Sequence, residues 1–165
     1  MRLYLMRHGI AIDRDDPDCP PEAERYLTSK GIQRTREAAE GLAAMGISPD
    51  ILLTSPYVRA VQTGEIVCQA LRIDSKALQA SDALKPEAKP SRIAEELARL
   101  HFDEAICFGH APHLDDFIAY ALRASAPLTT LKKGGVACLE MQTVSPPAGQ
   151  LLWLLTPKLL REVGS

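Results

Sequence analysis

Residues 1–12 read MRLYLMRHGIAI, and the first nine of them decide how the chain is interpreted. Leu3 to Met6 form a short, continuous apolar run, which is typical of a strand that is buried on both faces of a sheet. Arg7, His8 and Gly9 follow this run without a linker. The pattern indicates either a polar loop start or a strand that delivers a functional Arg-His pair at the rim of the sheet.

Short apolar strands alternate with amphipathic helices along the rest of the chain. Thr28, Ser55 and Ser91 are predicted helix caps, and Gly46 is a predicted terminator. This alternation predicts one α/β domain over residues 1–165, a three-layer αβα sandwich whose central sheet is mostly parallel with an antiparallel edge. The predicted strands are 3–6, 51–53, 77–80, 104–110, 136–141 and 150–156, and the predicted helices are 29–46, 57–72, 91–101 and 113–124.

Composition excludes several classes of function. Nineteen basic and 21 acidic residues give no support for broad nucleic-acid binding or for a polybasic membrane face. No segment has the apolar length of a membrane span or the pattern of a signal peptide, so we expect a soluble, cytoplasmic protein. The sequence does not determine the oligomeric state, for which we expect a monomer. The four cysteines are scattered without a C-x-x-C pair, and we expect them to be reduced.

Charged and ionisable residues follow three of the predicted strands. Arg7-His8 follows the first strand, Arg59 lies one turn into the helix after the second, and His110 follows the fourth. Because ligands of open parallel sheets bind beyond the carboxyl ends of the strands, we expect these four residues to share one site. Two guanidinium groups match a phosphoryl dianion, and a neutral imidazole is a competent nucleophile near neutral pH. A second, protonated histidine could hold a phosphoryl oxygen, and no metal or other cofactor is required.

The motifs that carry these residues resemble those of the histidine phosphatase superfamily, the phosphoglycerate-mutase-like fold. The chain has R-H-G at 7–9, L-T-x-x-G-x-x-R at 27–34, S-P-Y-V-R-A-V-Q-T at 55–63 and G-H-x-P at 109–112, in the order of the family and over nearly its whole length. The short chain and the S-P-Y-V-R-A form are similar to the SixA-type branch, whose members remove phosphate from phosphohistidine on histidine-phosphotransfer domains.

The resemblance implies a role for each residue that matches a motif. His8 would be the nucleophile that becomes phosphohistidine, while Arg7 and Arg59 would grip the phosphoryl oxygens. His110 would be the second histidine, and the backbone N–H of Ala111 would add a donor. Ser55 and Thr63 would be structural.

The chain departs from the family at the position of the general acid. Many larger members place a glutamate after the third strand, where this chain reads ASDALKPEAKP. Asp82 is the nearest possible general acid, and Glu87 is the next. Imidazole is a better leaving group than an alkoxide and has less need of an acid, so the departure favours a P–N substrate.

The sequence raises four alternatives. The same site could hydrolyse small phosphate esters, or the chain could be a non-catalytic phosphate-binding module. His110, His113, Asp115 and Asp116 form an H-x-x-H-x-D-D cluster that invites a metal site, but we interpret the two aspartates as ordinary partners of the helix dipole. The acidic loop 13–25 is interpreted as a solvated surface loop, with the alternative that it borders the site and meets a basic partner.

Overall fold

Six strands form a single sheet that five helices cover, in a computed structural model that describes all 165 residues. The strands are β1 (Arg2–Arg7), β2 (Ile51–Thr54), β3 (Leu78–Ala80), β4 (Glu104–Gly109), β5 (Val136–Thr143) and β6 (Ala148–Leu155). The helices are α1 (Ser29–Ala44), α2 (Val58–Leu71), α3 (Ser91–Leu97), α4 (His113–Ala121) and α5 (Pro157–Gly164). None of the helices is long and apolar enough to cross a bilayer.

The order of the strands is β3-β2-β4-β1-β5-β6. The four strands from β3 to β1 are mutually parallel, while β5 and β6 run antiparallel to their neighbours. Along the β1–β4 pair, Arg7 lies opposite Gly109, and along the β2–β4 pair, Thr54 lies opposite Phe108. The predicted mostly parallel sheet with an antiparallel edge is therefore confirmed.

Two apolar clusters fill the two faces of the sheet. Leu3 and Leu5 of β1 pack in one cluster with residues of α3 and α4, while Tyr4 and Met6 pack in the other with residues of α1, α2 and α5. Alternate side chains of a strand point to opposite faces, so burial on both faces requires the uninterrupted apolar run of β1. This arrangement is the predicted three-layer sandwich.

The predicted helix boundaries hold in part. Thr28 caps α1, because its hydroxyl oxygen accepts a hydrogen bond from the backbone N–H of Gly31 at 3.0 Å. Gly46 ends that helix with a positive φ of 73°, a conformation that glycine adopts without steric cost. The prediction that Ser91 caps α3 is wrong, because Pro90 is already helical and occupies the cap position.

Ser55 caps a turn that precedes α2. Its hydroxyl oxygen accepts from the backbone N–H of Tyr57 at 3.3 Å, and the helix begins only at Val58. All four cysteines are free, and three of them are buried.

The C-terminal helix α5 is absent from the sequence prediction. Thr156 caps it through a hydrogen bond from the backbone N–H of Leu159 at 3.4 Å, and Pro157 occupies its first turn. The Thr-Pro pair is a helix-start signal that could have revealed it. The helix packs on α1 at Gly41, where a Cβ atom would lie 2.0 Å from the carbonyl oxygen of Leu160.

Replacement of Gly41 by alanine is expected to destabilise the protein. Alanine favours a helix interior over glycine, but here its methyl group would collide with the backbone of α5, and overpacking costs about 1–3 kcal/mol. Urea denaturation measures the change, and Glu40→Ala at the exposed neighbouring position serves as the control, with a change within about 0.5 kcal/mol. A Gly41→Ala variant as stable as the wild type would contradict this packing.

Candidate active site

The carboxyl ends of β1, β2 and β4 meet at one edge of the sheet and bring the predicted residues together. The Nε of Arg59 lies 3.2 Å from Nε2 of His8, and the ring centroids of His8 and His110 are 5.3 Å apart. Arg7 directly precedes His8, and its positive charge acts on that ring. The strand register thus gathers four residues that are distant in the sequence.

Hydrogen bonds fix the orientation and the tautomer of His8. Its Nδ1 lies 2.7 Å from the carbonyl oxygen of Gly9, which can only accept, so Nδ1 carries the proton. The lone pair therefore resides on Nε2, which accepts from the Nε–H of Arg59. The Gly9 N–H donates to Oγ1 of Thr63, whose hydroxyl donates to the carbonyl oxygen of Arg59. Thr63 thereby links α2 to residues 8–10, the segment directly after β1 that carries His8 and that we call the nucleophile loop.

His8 is uncharged over the neutral pH range. Burial lowers its pKa from 6.5 to about 3, the hydrogen bond to Gly9 partly offsets that effect, and the positive charges of Arg59, Arg7 and Lys133 lower it further. A neutral imidazole is the form that attacks an electrophile, and the Nε2 lone pair can do so once Arg59 releases its hydrogen bond.

Arg7 is anchored through one end of its guanidinium group. Its terminal N–H donates to the carbonyl oxygen of Leu131 at 2.9 Å, while its Nε is buried and has no partner within the chain. Asp115 holds the segment that presents this carbonyl, because it accepts from the Leu131 N–H at 3.0 Å and from the Thr129 hydroxyl at 2.6 Å. From the sequence, Asp115 is predicted only to interact with the dipole of its helix. In the structure it also positions Arg7, through the Leu131 segment.

His110 is buried between Ser55 and Tyr57. Its Nε2 lies 2.8 Å from the hydroxyl oxygen of Ser55, its Nδ1 has no partner, and the Tyr57 ring meets it edge-on at 5.2 Å between centroids. Burial, assisted by the positive charge of Arg59, lowers the pKa of His110 to about 2. This environment therefore favours the neutral ring, in contrast to the protonated ring expected from the sequence.

Every nitrogen of the Arg59 guanidinium group has a partner, and Glu22 supplies two of them. One terminal N–H donates to the Glu22 carbonyl oxygen at 2.7 Å, and the other donates to Oε1 of its carboxylate at 3.0 Å. The carboxylate also pairs with Arg14 at 2.8 Å and with Arg25 at 3.1 Å. The hydrogen bond from Arg14 and the three positive charges lower the pKa of Glu22 to about 2.

Glu22 is the functional candidate that sequence reasoning missed. It belongs to the acidic loop 13–25, and of the two interpretations of that loop, the structure agrees with the one that it borders the site. In the sequence, the only indication of this role is that Glu22 lies three positions before Arg25 and close to the Leu27-Thr28 motif.

Asp82, the predicted general acid, is not joined to the four residues of the site. Asp82 is largely exposed and pairs with Lys85 at 3.0 Å, and no hydrogen bond or ion pair joins it to the four residues. Glu87 is closer, because it accepts from the Tyr57 hydroxyl at 3.4 Å. The N–H of Ala111 donates no hydrogen bond within the chain. The roles predicted for Asp82 and Ala111 stay predictions.

His113 is buried beneath the site at the start of α4. Neither of its ring nitrogens has a partner within the chain, and burial lowers its pKa. No three histidine, cysteine, aspartate or glutamate side chains lie close enough together to hold a metal ion.

The free energy of unfolding is expected to fall as the pH drops from 7 to 5. His8 and His110 have a lower pKa in the folded chain than their ordinary 6.5, so below about pH 6.5 the unfolded chain takes up protons that the folded chain does not. For one such histidine the loss is about 2 kcal/mol over this range.

Denaturation of wild type and His110→Gln at both pH values measures this contribution. The variant is expected to lose about 2 kcal/mol less than the wild type, while His101→Gln at the surface serves as the matched control. Equal losses in all three proteins would show that the His110 ring is not held neutral by burial.

Comparisons with known proteins agree with this geometry. Residues 3–85 match the family model of the histidine phosphatase superfamily (branch 1). An uncharacterized protein of Picosynechococcus sp. is 32% identical over 167 residues, which covers 97% of this chain and 99% of that protein. Phosphohistidine phosphatase SixA of Escherichia coli is 34% identical over 77 residues, which covers 47% of this chain and 45% of that protein.

The fold has a close counterpart among solved structures. The protein histidine phosphatase SixA in complex with tungstate matches with a TM-score of 0.85 at 24% identity, over 97% of this chain and 99% of that one. The family model spans half of the 165 residues and includes Arg7, His8 and Arg59. This chain therefore belongs to the histidine phosphatase superfamily and has the phosphoglycerate-mutase-like fold of SixA.

Proposed function

We propose that the protein is a phosphohistidine phosphatase that acts on a phosphorylated protein, such as a histidine-phosphotransfer domain, through a phospho-His8 intermediate. One observation carries the proposal: the neutral His8 has its lone pair on Nε2 beside the buried Arg59, and the half-buried Arg7 also acts on this ring by its positive charge. Membership of the superfamily supports phosphatase activity. The four free cysteines suit a reducing compartment, and we place this activity in the cytoplasm.

In the first step, Nε2 of His8 attacks phosphorus in line with the leaving nitrogen. A bond forms between phosphorus and Nε2 while the bond to the partner's imidazole breaks, and that imidazole takes a proton from solvent. Arg7 and Arg59 hold the phosphoryl oxygens, and the partnerless Nε of Arg7 is a donor ready for them.

His110 gains a role when the dianion arrives. Its Nδ1 has no partner within the chain, and a nearby negative charge favours the protonated ring. In the proposal, this ring then donates to a phosphoryl oxygen. In the second step, water attacks phosphorus, the bond to Nε2 of His8 breaks, and inorganic phosphate leaves.

The carboxylates near the site favour a P–N substrate. An ester needs a positioned acid to protonate its leaving alkoxide, whereas imidazole leaves more easily. Glu22 has its pKa lowered to about 2, so it is ionised and a poor proton donor. Asp82 is paired with Lys85 in solvent. The proposal needs neither a strong acid nor a metal.

His8→Ala is expected to lower turnover about 10³-fold or more, because the covalent route requires Nε2. The matched control, His101→Ala, removes an exposed histidine and should keep full activity. Rapid quenching followed by mass spectrometry should detect a phosphate on His8 that is labile in acid. Wild-type turnover in His8→Ala would exclude this nucleophile.

The substrate class is tested by a panel of phosphorylated compounds. A phosphohistidine protein should be hydrolysed with a higher kcat/KM than a phosphoserine peptide or sugar phosphates, each assayed with wild type and His8→Ala. A clear preference for sugar phosphates that depends on His8 would keep the nucleophile and reject the phosphohistidine substrate. Phosphate release from none of them would favour a non-catalytic phosphate-binding module.

Glu22→Gln is expected to strengthen the binding of tungstate, a phosphoryl mimic. The Glu22 carboxylate competes with an incoming dianion for Arg59, while His8 and the backbone carbonyl of residue 22 still position the guanidinium group in the variant. We expect a dissociation constant roughly three- to tenfold lower by calorimetry. Glu24→Gln in the same turn should leave it unchanged, and weaker binding by Glu22→Gln would mean that the carboxylate mainly positions Arg59.

A further inference from the structure

A cavity of about 240 Å³ lies beside the nucleophile loop and is separate from the candidate active site. Gly9 and Ile10 form part of its wall, but Arg7, His8, Arg59 and His110 do not line it. Four cationic side chains surround it, and they come from α1, from the segment before β5 and from α5: Lys30, Arg34, Lys133 and Arg161.

The positive charge of this cavity is only partly compensated. No carboxylate lines it. Glu37, outside the wall, pairs with Arg34 at 3.6 Å and with Arg161 at 3.1 Å, whereas Lys30 and Lys133 make no ion pair within the chain. Cations that converge on a concave surface without counter-charges create a strong local positive potential, which raises the local concentration of anions.

The wall also contains a buried polar group without a partner. Thr35 is 1% exposed, and its hydroxyl oxygen makes no hydrogen bond within the chain. A Cβ at residue 9 would lie 2.3 Å from that oxygen, so only glycine leaves room for the hydroxyl beside the loop. Buried hydroxyl groups nearly always have partners, and the exception here lies in the wall of a cationic cavity.

The size of the cavity and its lining indicate the kind of ligand. Only one of the nine lining residues is hydrophobic, which argues against an apolar side chain or a lipid tail. The volume equals that of about eight waters, which is room for a small organic anion. The guanidinium groups of Arg34 and Arg161 provide donor pairs that match phosphate oxygens.

We propose that this cavity binds a small anion carrying at least two negative charges, of the organic phosphate or diphosphate class, at a second site beside the nucleophile loop. Lys133 and Gly134 connect this site to the first: the Gly134 N–H donates to the carbonyl oxygens of Arg7 and His8 at 3.1 and 3.0 Å. The ligand would thus contact the backbone that holds the nucleophile. The proposal is independent of the phosphatase activity, because binding is measured without turnover.

The test is calorimetric titration of the full chain with methylenediphosphonate, a diphosphate that resists hydrolysis, in physiological salt. The titration is carried out in an Arg59→Ala background, which disables the phosphoryl pocket, so that the remaining binding reports the second site. We expect one binding event, weakened at least tenfold by Arg34→Gln and also by Lys30→Gln. The matched control is Arg36→Gln, which removes the same charge from an exposed position of the same helix and should change binding less than twofold.

Two results would overturn the proposal. One is the absence of binding to Arg59→Ala at millimolar diphosphonate, which would assign any binding by the wild type to the phosphoryl site. The other is equal binding by Arg34→Gln, Lys30→Gln and Arg36→Gln in this background, which would indicate only a diffuse attraction to positive charge.

Discussion

The parallel pairing of β1 with β4 is the constraint on which the site depends. Arg7 lies opposite Gly109, so His8 and His110 leave the sheet at the same level. A shift of one residue in this register would turn every side chain of β1 to the opposite face of the sheet. Leu3 and Leu5 would then face the helices that now cover Tyr4 and Met6, and the reverse. The two apolar clusters therefore hold the two histidine rings at 5.3 Å from each other.

Burial of the site creates an electrostatic problem that the acidic loop resolves. Arg59 is 2% exposed, and a buried guanidinium group needs an anion or several acceptors beside it. The Glu22 carboxylate takes this place, with Arg14 and Arg25 sharing its charge. Arg59 and Arg25 are buried, whereas Glu22 and Arg14 reach the surface, so the carboxylate joins the buried charge to solvent.

The sequence predicted those parts of the molecule that depend on local patterns. The apolar run of β1, its Arg-His ending, Arg59 in the first turn of α2 and His110 after β4 follow from hydrophobic periodicity and from the family motifs. Glu22 could not be predicted in this way, because its role depends on a loop that folds back across 37 residues to reach Arg59.

The protonation state of His110 could not be predicted from the sequence either. The expectation of a charged His110 used the ordinary pKa of histidine, whereas burial and the positive charge of Arg59 favour the neutral form of this ring. Helix α5 was missed for another reason: its Thr-Pro start directly follows β6, and its packing depends on Gly41, more than a hundred residues earlier.

The neutral His8 and the ionised Glu22 have separate causes that together bear on the proposed substrate. Burial is the main reason that His8 is neutral, whereas the hydrogen bond from Arg14 and the charges of Arg59 and Arg25 keep Glu22 ionised. A neutral nucleophile beside an ionised carboxylate activates attack at phosphorus more than it assists departure of the leaving group. Our proposal of a P–N substrate rests on this combination, because the imidazole that leaves phosphohistidine has less need of a proton from the enzyme than the alkoxide of an ester.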